Sequence, residues 1–217
     1  MSSVLLKAGC FFMIILMGYG LKKIGLLSQT DLPVFSKLVT KITLPAAIIH
    51  NFSQATMDIS MLVIVLIGFL CSGLYAVIGY GLFAKGTRDQ KAFGLVNASG
   101  YNIGCFTMPF VQGFLGAPGV ACTSLFDTGN AVVCTGGSYA VAMSVAGKSG
   151  SGDKHQIRRI VIQLLKSVPF DCYVIMTVLT MAGLRLPLFV NQVAETVGNA
   201  NTFLSMMMIG LGLELHM

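Results

Sequence analysis

Apolar residues run through this chain in long blocks. They show neither the alternation of a half-buried strand nor the narrow stripe of a soluble helix. Blocks at 4–21, 34–52, 60–84, 92–114, 120–144, 167–185 and 196–214 each come close to the roughly 20 residues that carry a helix across a bilayer. They predict seven spanning helices and an all-α, polytopic membrane fold. The stretch between Lys91 and Asp127 holds 35 uncharged residues, too many for one span. Leu115-Gly116-Ala117-Pro118-Gly119 supplies the turn that divides it. Two further interruptions are expected inside spans, at Pro45 in KITLPAAIIHNF and at Gly100 ahead of Pro109. A proline cannot donate to the carbonyl four residues back, and glycine lowers the cost of unwinding.

Composition agrees with the pattern and narrows the class. Of 217 residues, 55% are apolar and 10% charged, against about 25% charged in an ordinary soluble domain. That excludes a disordered tail, a disulfide-stapled module and a soluble nucleic-acid binder. The six cysteines lie in apolar stretches, with no CxxC pair and no histidine at ligand spacing, so neither a metal nor a cofactor is expected. The N-terminal apolar run is followed by Lys22-Lys23 and offers no small-residue cleavage site, which makes it a first span and not a signal peptide.

The net charge of +6 changes meaning once it is mapped onto the spans. Twelve of the fourteen Lys and Arg residues fall on the side of the connections after helices 1, 3 and 5, leaving Lys7 and Arg185 on the other side. By the positive-inside rule those connections are cytoplasmic. The N-terminus is then outside a cell (inner or plasma) membrane. The basic excess therefore records topology, and the partner it implies is the lipid bilayer, with no nucleic acid.

The connection after helix 5 differs from the others. AGKSGSGDKHQ (146–156) is a Gly/Ser-rich linker. After it, Ile157, Ile160, Val161, Leu164 and Leu165 follow helical spacing between Arg158, Arg159 and Lys166, the pattern of an amphipathic helix lying on an anionic leaflet. The chain thus divides into a five-helix repeat (1–147), a cytoplasmic linker with that helix (148–166), and two more helices (167–217). Helices 1 and 6 both open on Leu-Lys and close on Gly-Leu plus a base. With five helices per unit the second copy is inverted, as in many secondary transporters.

Polar groups inside the spans carry the candidate chemistry. Helix 4 holds Asn97, Ser99, Asn102 and Thr107 around Gly100, Gly104 and Pro109. Backbone freed at mid-bilayer is tolerated only where protein or a water-filled cavity satisfies it. Helix ends bared in this way can hold an ion or an anionic substrate. The alternative is that Gly100-x-x-x-Gly104 is a close-packing face. In helix 5, Thr123, Asp127, Asn130 and Cys134 form one polar stripe, expected to face inward. Asp127 is the single acid between residues 90 and 152. At that depth a carboxylate is costly unless paired or hydrated, a setting suited to reversible protonation. His50 and Asp171 are minor candidates, and Ser167-Val-Pro-Phe-Asp reads better as a helix start.

These residues resemble the auxin efflux carrier family of permeases. LPAAIIHNF (44–52) is similar to its proline-bearing second helix, SGYNIGCFTMPFVQGFLG (99–116) to its broken crossover helix, and SLFDTGNAVVCTGGSYAVA (124–142) to the helix that follows. The resemblance implies ten helices in two inverted five-helix repeats whose broken helices cross at the substrate site. It implies transport of a small organic anion such as auxin, malate or malonate. Carried over by position, Asn102 with the backbone around Gly104 and Pro109 forms half the crossing, and Asp127 and Asn130 support it.

On that pattern the sequence reads as truncated after the seventh helix. The expectation is a fragment, or a site completed by a partner chain, with a homo-oligomer as one such arrangement. Two rival classes are weaker. A seven-helix receptor or sensor fits the count but has no Lys in helix 7 for a Schiff base. An intramembrane enzyme needs paired acids, a Ser/His pair or a metal cluster at one depth, and no such set stands in the spans.

Overall fold

The computed structural model describes residues 2–147, 158 and 161–214, all helices and connections with no strand among them. The Gly/Ser-rich linker beyond Gly147 and the start of the amphipathic stretch, at 148–157, 159 and 160, lie outside the described residues. Among the described residues, four helical stretches are long and apolar enough to cross a membrane: Val4–Lys23, Gln29–Gln54, Ile59–Leu82 and Arg88–Val132. The last is 45 residues long, enough for two spans. The protein is a multi-pass helical membrane protein.

The chain forms two compact units. One comprises 2–56, 102–123 and 176–214; the other 57–101, 124–147, 158 and 161–175. In the first unit lie α1 (Ser2–Lys23), α2 (Leu32–Leu38) and α3 (Leu44–Gln54). Small residues let its backbones approach closely. A Cβ on Gly210 would stand 2.0 Å from the Ile15 carbonyl oxygen, one on Gly18 2.5 Å from that of Met207, and one on Gly198 2.8 Å from the Ala47 backbone. Without a hydrophobic drive between helices in lipid, such close van der Waals approach is what joins them. Met206 and Met207 are buried and fill this core. Phe11 packs edge-on to Phe110 at 5.2 Å.

The second unit is built on α4 (Val63–Leu82) and α5 (Arg88–Ala98), with α7 (Ser138–Val145) beside them. α4 buries Gly68, Ser72, Ala76 and Gly79 and exposes Leu66, Leu70, Leu74 and Val77. This inverts a soluble helix, as expected where the surroundings are lipid. Thr87 caps α5 in a reciprocal pair with Gln90. The long helix α6 (Met108–Val132) bends at Gly116, whose φ of 61° and ψ of −154° favour glycine. The bend falls at the turn expected between helices 4 and 5. α8 (Val168–Met181) and α9 (Leu188–Gly212) complete the described chain.

Two expectations about helix geometry are corrected. Pro45 does not break its helix. The five residues Val39–Thr43 form a wide π-turn, in which the Leu44 N–H reaches back to the Val39 carbonyl, and α3 continues directly. The extra residue in the turn accommodates the donor that Pro45 lacks. Ile103–Thr107 does the same immediately before Met108-Pro109. The real interruption lies earlier, at Ser99–Asn102. Helix 7 also begins eight residues before its expected start. Pro187 serves as N-cap, with Asn191 N–H on its carbonyl. The exposed Gln192 and Glu195 had diluted the apolar signal there.

Candidate functional site

The interruption between α5 and Ile103 sets the site. Helical geometry ends at Ala98, and Asn102 has φ −82° and ψ 72°. Gly100 suits this stretch because it is exposed and a side chain would press on Cys134 Sγ, 2.8 Å from its Cβ position. The broken backbone is held by a side chain of α6. Tyr101 N–H donates to Asn130 Oδ1 at 3.4 Å, and Ser72 Oγ on α4 donates to the same oxygen at 2.8 Å. Asn130 Nδ2 in turn donates to Asp127 Oδ1 at 2.9 Å, while the Tyr173 hydroxyl of α8 donates to Asp127 Oδ2 at 2.9 Å. Four segments of the second unit therefore converge through one amide and one carboxylate. Each carboxylate oxygen has a donor, which meets the requirement for holding such a group at membrane depth.

The other candidates stand around this network or away from it. Ser99 is buried and bonds the Val96 carbonyl. Asn97 is exposed and folds back onto the Phe93 carbonyl of its own helix, so it is outside the network. Asn102 is exposed at the first turn after the break, and its carbonyl accepts the Thr107 N–H at 3.2 Å. Gly104 faces Leu44, and Pro109 is fully buried. The polar stripe of helix 5 is real over Asp127 and Asn130 but not at Cys134, which is exposed: a π-turn at Val133–Gly137 shifts the register there. His50 bonds Asn191 and Gln54 at the end of α3, and Asp171 sits in the first turn of α8 as a helix start.

Sequence reasoning passed over Ser72 and Tyr173, the hydroxyl partners of Asn130 and Asp127. It also passed over a second buried polar contact, in the first unit, where Thr43 Oγ1 donates to Asn201 Oδ1 at 3.1 Å. Ser72 carried a usable signal, a hydroxyl among the small residues on one face of α4. Tyr173 carried none beyond its place in an apolar helix.

A multi-pass helical bundle, interrupted at Ser99–Asn102 and carrying a largely enclosed carboxylate beside the interruption, has the form of a membrane transporter. Comparison with known proteins agrees. The membrane transport protein family matches residues 10–156, more than half of the chain. The chain belongs to this family, that of the auxin efflux carriers. It is also similar to an uncharacterized transporter of Methanothermobacter thermautotrophicus, 27% identical over 209 residues, which cover 94% of this chain. The chain spans 65% of that relative's length.

Proposed function

We propose that the protein is a secondary active transporter for a small organic anion, such as a dicarboxylate or an auxin-like acid, working by alternating access at the helix break. The observation that carries this reading is the network joining Tyr101 N–H, Asn130 and Asp127 at an interrupted span. An anion needs donors that are not already satisfied. The first turn of a helix supplies them with a favourable dipole. In this reading Asn102 and the first amide groups of the turn beginning at Ile103 take the carboxylate, and Gly104 and Pro109 shape the backbone that presents them.

The Asp127–Asn130 pair keeps the break open by holding the Tyr101 amide. It also provides the group through which proton coupling would run, since protonating one Asp127 oxygen removes the acceptor of either Asn130 or Tyr173. The distribution of basic residues supports a cell membrane with the N-terminus outside. The cycle is proposed for the whole transporter, of which this chain spans the part matched above.

Uptake of radiolabelled malate, malonate and indole-3-acetate into proteoliposomes tests the reading. One of these anions should accumulate saturably and compete with its unlabelled form. Asn102→Ala and Asp127→Asn should each lower uptake at least about tenfold, the effect of losing roughly 1.4 kcal/mol of binding. Wild-type uptake by both variants would remove the site from consideration.

A further inference from the structure

The second unit also carries an apolar groove that the transport reading does not use. Its volume is about 490 Å³, within the range of about 300–1,000 Å³ typical of small-molecule sites. Phe69, Val77 and Tyr80 of α4, Leu95 of α5, and Val141 and Val145 of α7 form its walls. Gly73 also lines it, and a Cβ there would meet nothing within 4 Å. The lining is almost wholly hydrocarbon and glycine, so an occupant gains contact area without being asked for hydrogen bonds.

One end of the groove is basic. Lys91 Nζ stands 5.9 Å from the ring centroid of Tyr80, a wall residue. Arg88 Nη1 lies 3.3 Å from the Cβ position of Gly147, two residues beyond the wall residue Val145. Lys85, exposed in the connection between α4 and α5, adds a third cation, and Asp89 is the acid among them. This is the connection that the charge distribution assigns to the cytoplasmic side, where anionic lipids collect.

We propose that the groove seats an acyl chain of an anionic phospholipid, with its phosphate held by Arg88, Lys91 and Lys85. An apolar slot with Lys91 against its Tyr80 wall, Arg88 near its Val145 end and Lys85 three residues before Arg88 in the chain matches an amphiphile with a hydrocarbon tail and a phosphodiester head. Guanidinium and ammonium donors bind phosphate oxygens strongly, the guanidinium in a fixed fork. A helix of a second copy would have use for the slot but none for its basic mouth.

Native mass spectrometry of the purified chain, offered equal phosphatidylglycerol and phosphatidylcholine of the same acyl length, tests the proposal. The expected result is one phosphatidylglycerol retained about fivefold or more in preference to phosphatidylcholine, as three surface cations favour. The triple variant Lys85→Gln, Arg88→Gln, Lys91→Gln, altered outside the groove, should lose the preference and bind the two lipids alike. Gly73→Leu, which fills the slot, should lower retention of both lipids while the gel-filtration profile and Tm stay unchanged. Equal binding by the wild type overturns the proposal. So does a preference that survives the triple variant, or lipid retention indifferent to Gly73→Leu. A dimer mass abolished by Gly73→Leu would put a second copy in the slot instead.

Discussion

Replacing Asn130 by alanine removes the residue on which the broken helix leans. The side chain is 3% exposed and makes three hydrogen bonds: from Ser72 Oγ at 2.8 Å, from Tyr101 N–H at 3.4 Å and to Asp127 at 2.9 Å. Side-chain hydrogen bonds between membrane helices average about 0.6 kcal/mol and reach about 1.7. The two short bonds therefore account for about 1–3 kcal/mol, and the long one to Tyr101 adds little. Ser72 recovers part of its loss by turning to a carbonyl of its own helix, and Asp127 keeps Tyr173, so the lower half of the range is expected. Equilibrium unfolding in mixed micelles should show Asn130→Ala destabilised by about 1–2 kcal/mol and Ser72→Ala by about 0.6. The double variant should show a coupling of about 0.5 kcal/mol or more. An Asn130→Ala variant within about 0.3 kcal/mol of wild type, or strictly additive effects, would refute the reasoning.

Two glycine substitutions separate packing from backbone strain. Gly210→Ala places a methyl 2.0 Å from the Ile15 carbonyl oxygen, so α1 and α9 must part. A loss of about 1–3 kcal/mol is expected, whereas Gly20→Ala, with nothing within 4 Å, should be neutral in the same unfolding assay. Gly116→Ala meets no neighbour either, but its φ of 61° and ψ of −154° suit glycine alone. It should cost about 1–3 kcal/mol through conformation only.

Much of this architecture was readable from the chain, and the parts that were not share a physical cause. Spans announce themselves by length and hydropathy, which is why α1 and α4 fall where expected and why the turn at Gly116 could be placed. Asp127 and Asn130 could be paired because residues three apart on a helix face one another. The π-turns at Val39–Thr43, Ile103–Thr107 and Val133–Gly137 could not be read, because one extra residue in a turn scarcely alters a hydropathy pattern. A proline such as Pro45 then looks like a break when the widened turn has already absorbed it. Tyr173 and Ser72 were missed because their partners lie 46 and 58 residues away, and nothing local in either helix points to them. The alternative reading of Gly100 and Gly104 as a packing face meets side chains only, Cys134 Sγ and Leu44 Cδ2, each 2.8 Å from the Cβ position. Backbone-to-backbone approach falls at glycines such as Gly68 and Gly129, each 2.0–2.1 Å in Cβ position from a carbonyl oxygen of the facing segment.

The central claim is that the break at Ser99–Asn102 is a water-reached site for an organic anion. It is tested most directly by thiol accessibility at that point. In a background with the six cysteines replaced, Asn102→Cys should react with a membrane-impermeant thiosulfonate. Malonate, or the anion identified by uptake, at a concentration raised at least about tenfold to offset the lost Asn102 side chain, should slow that reaction about threefold or more, as expected when most sites are occupied. Leu70→Cys, on the exposed face of α4, should stay unreactive whether or not the anion is present. An Asn102→Cys chain that reacts from neither side of the membrane, or at a rate no candidate anion changes, would contradict the account.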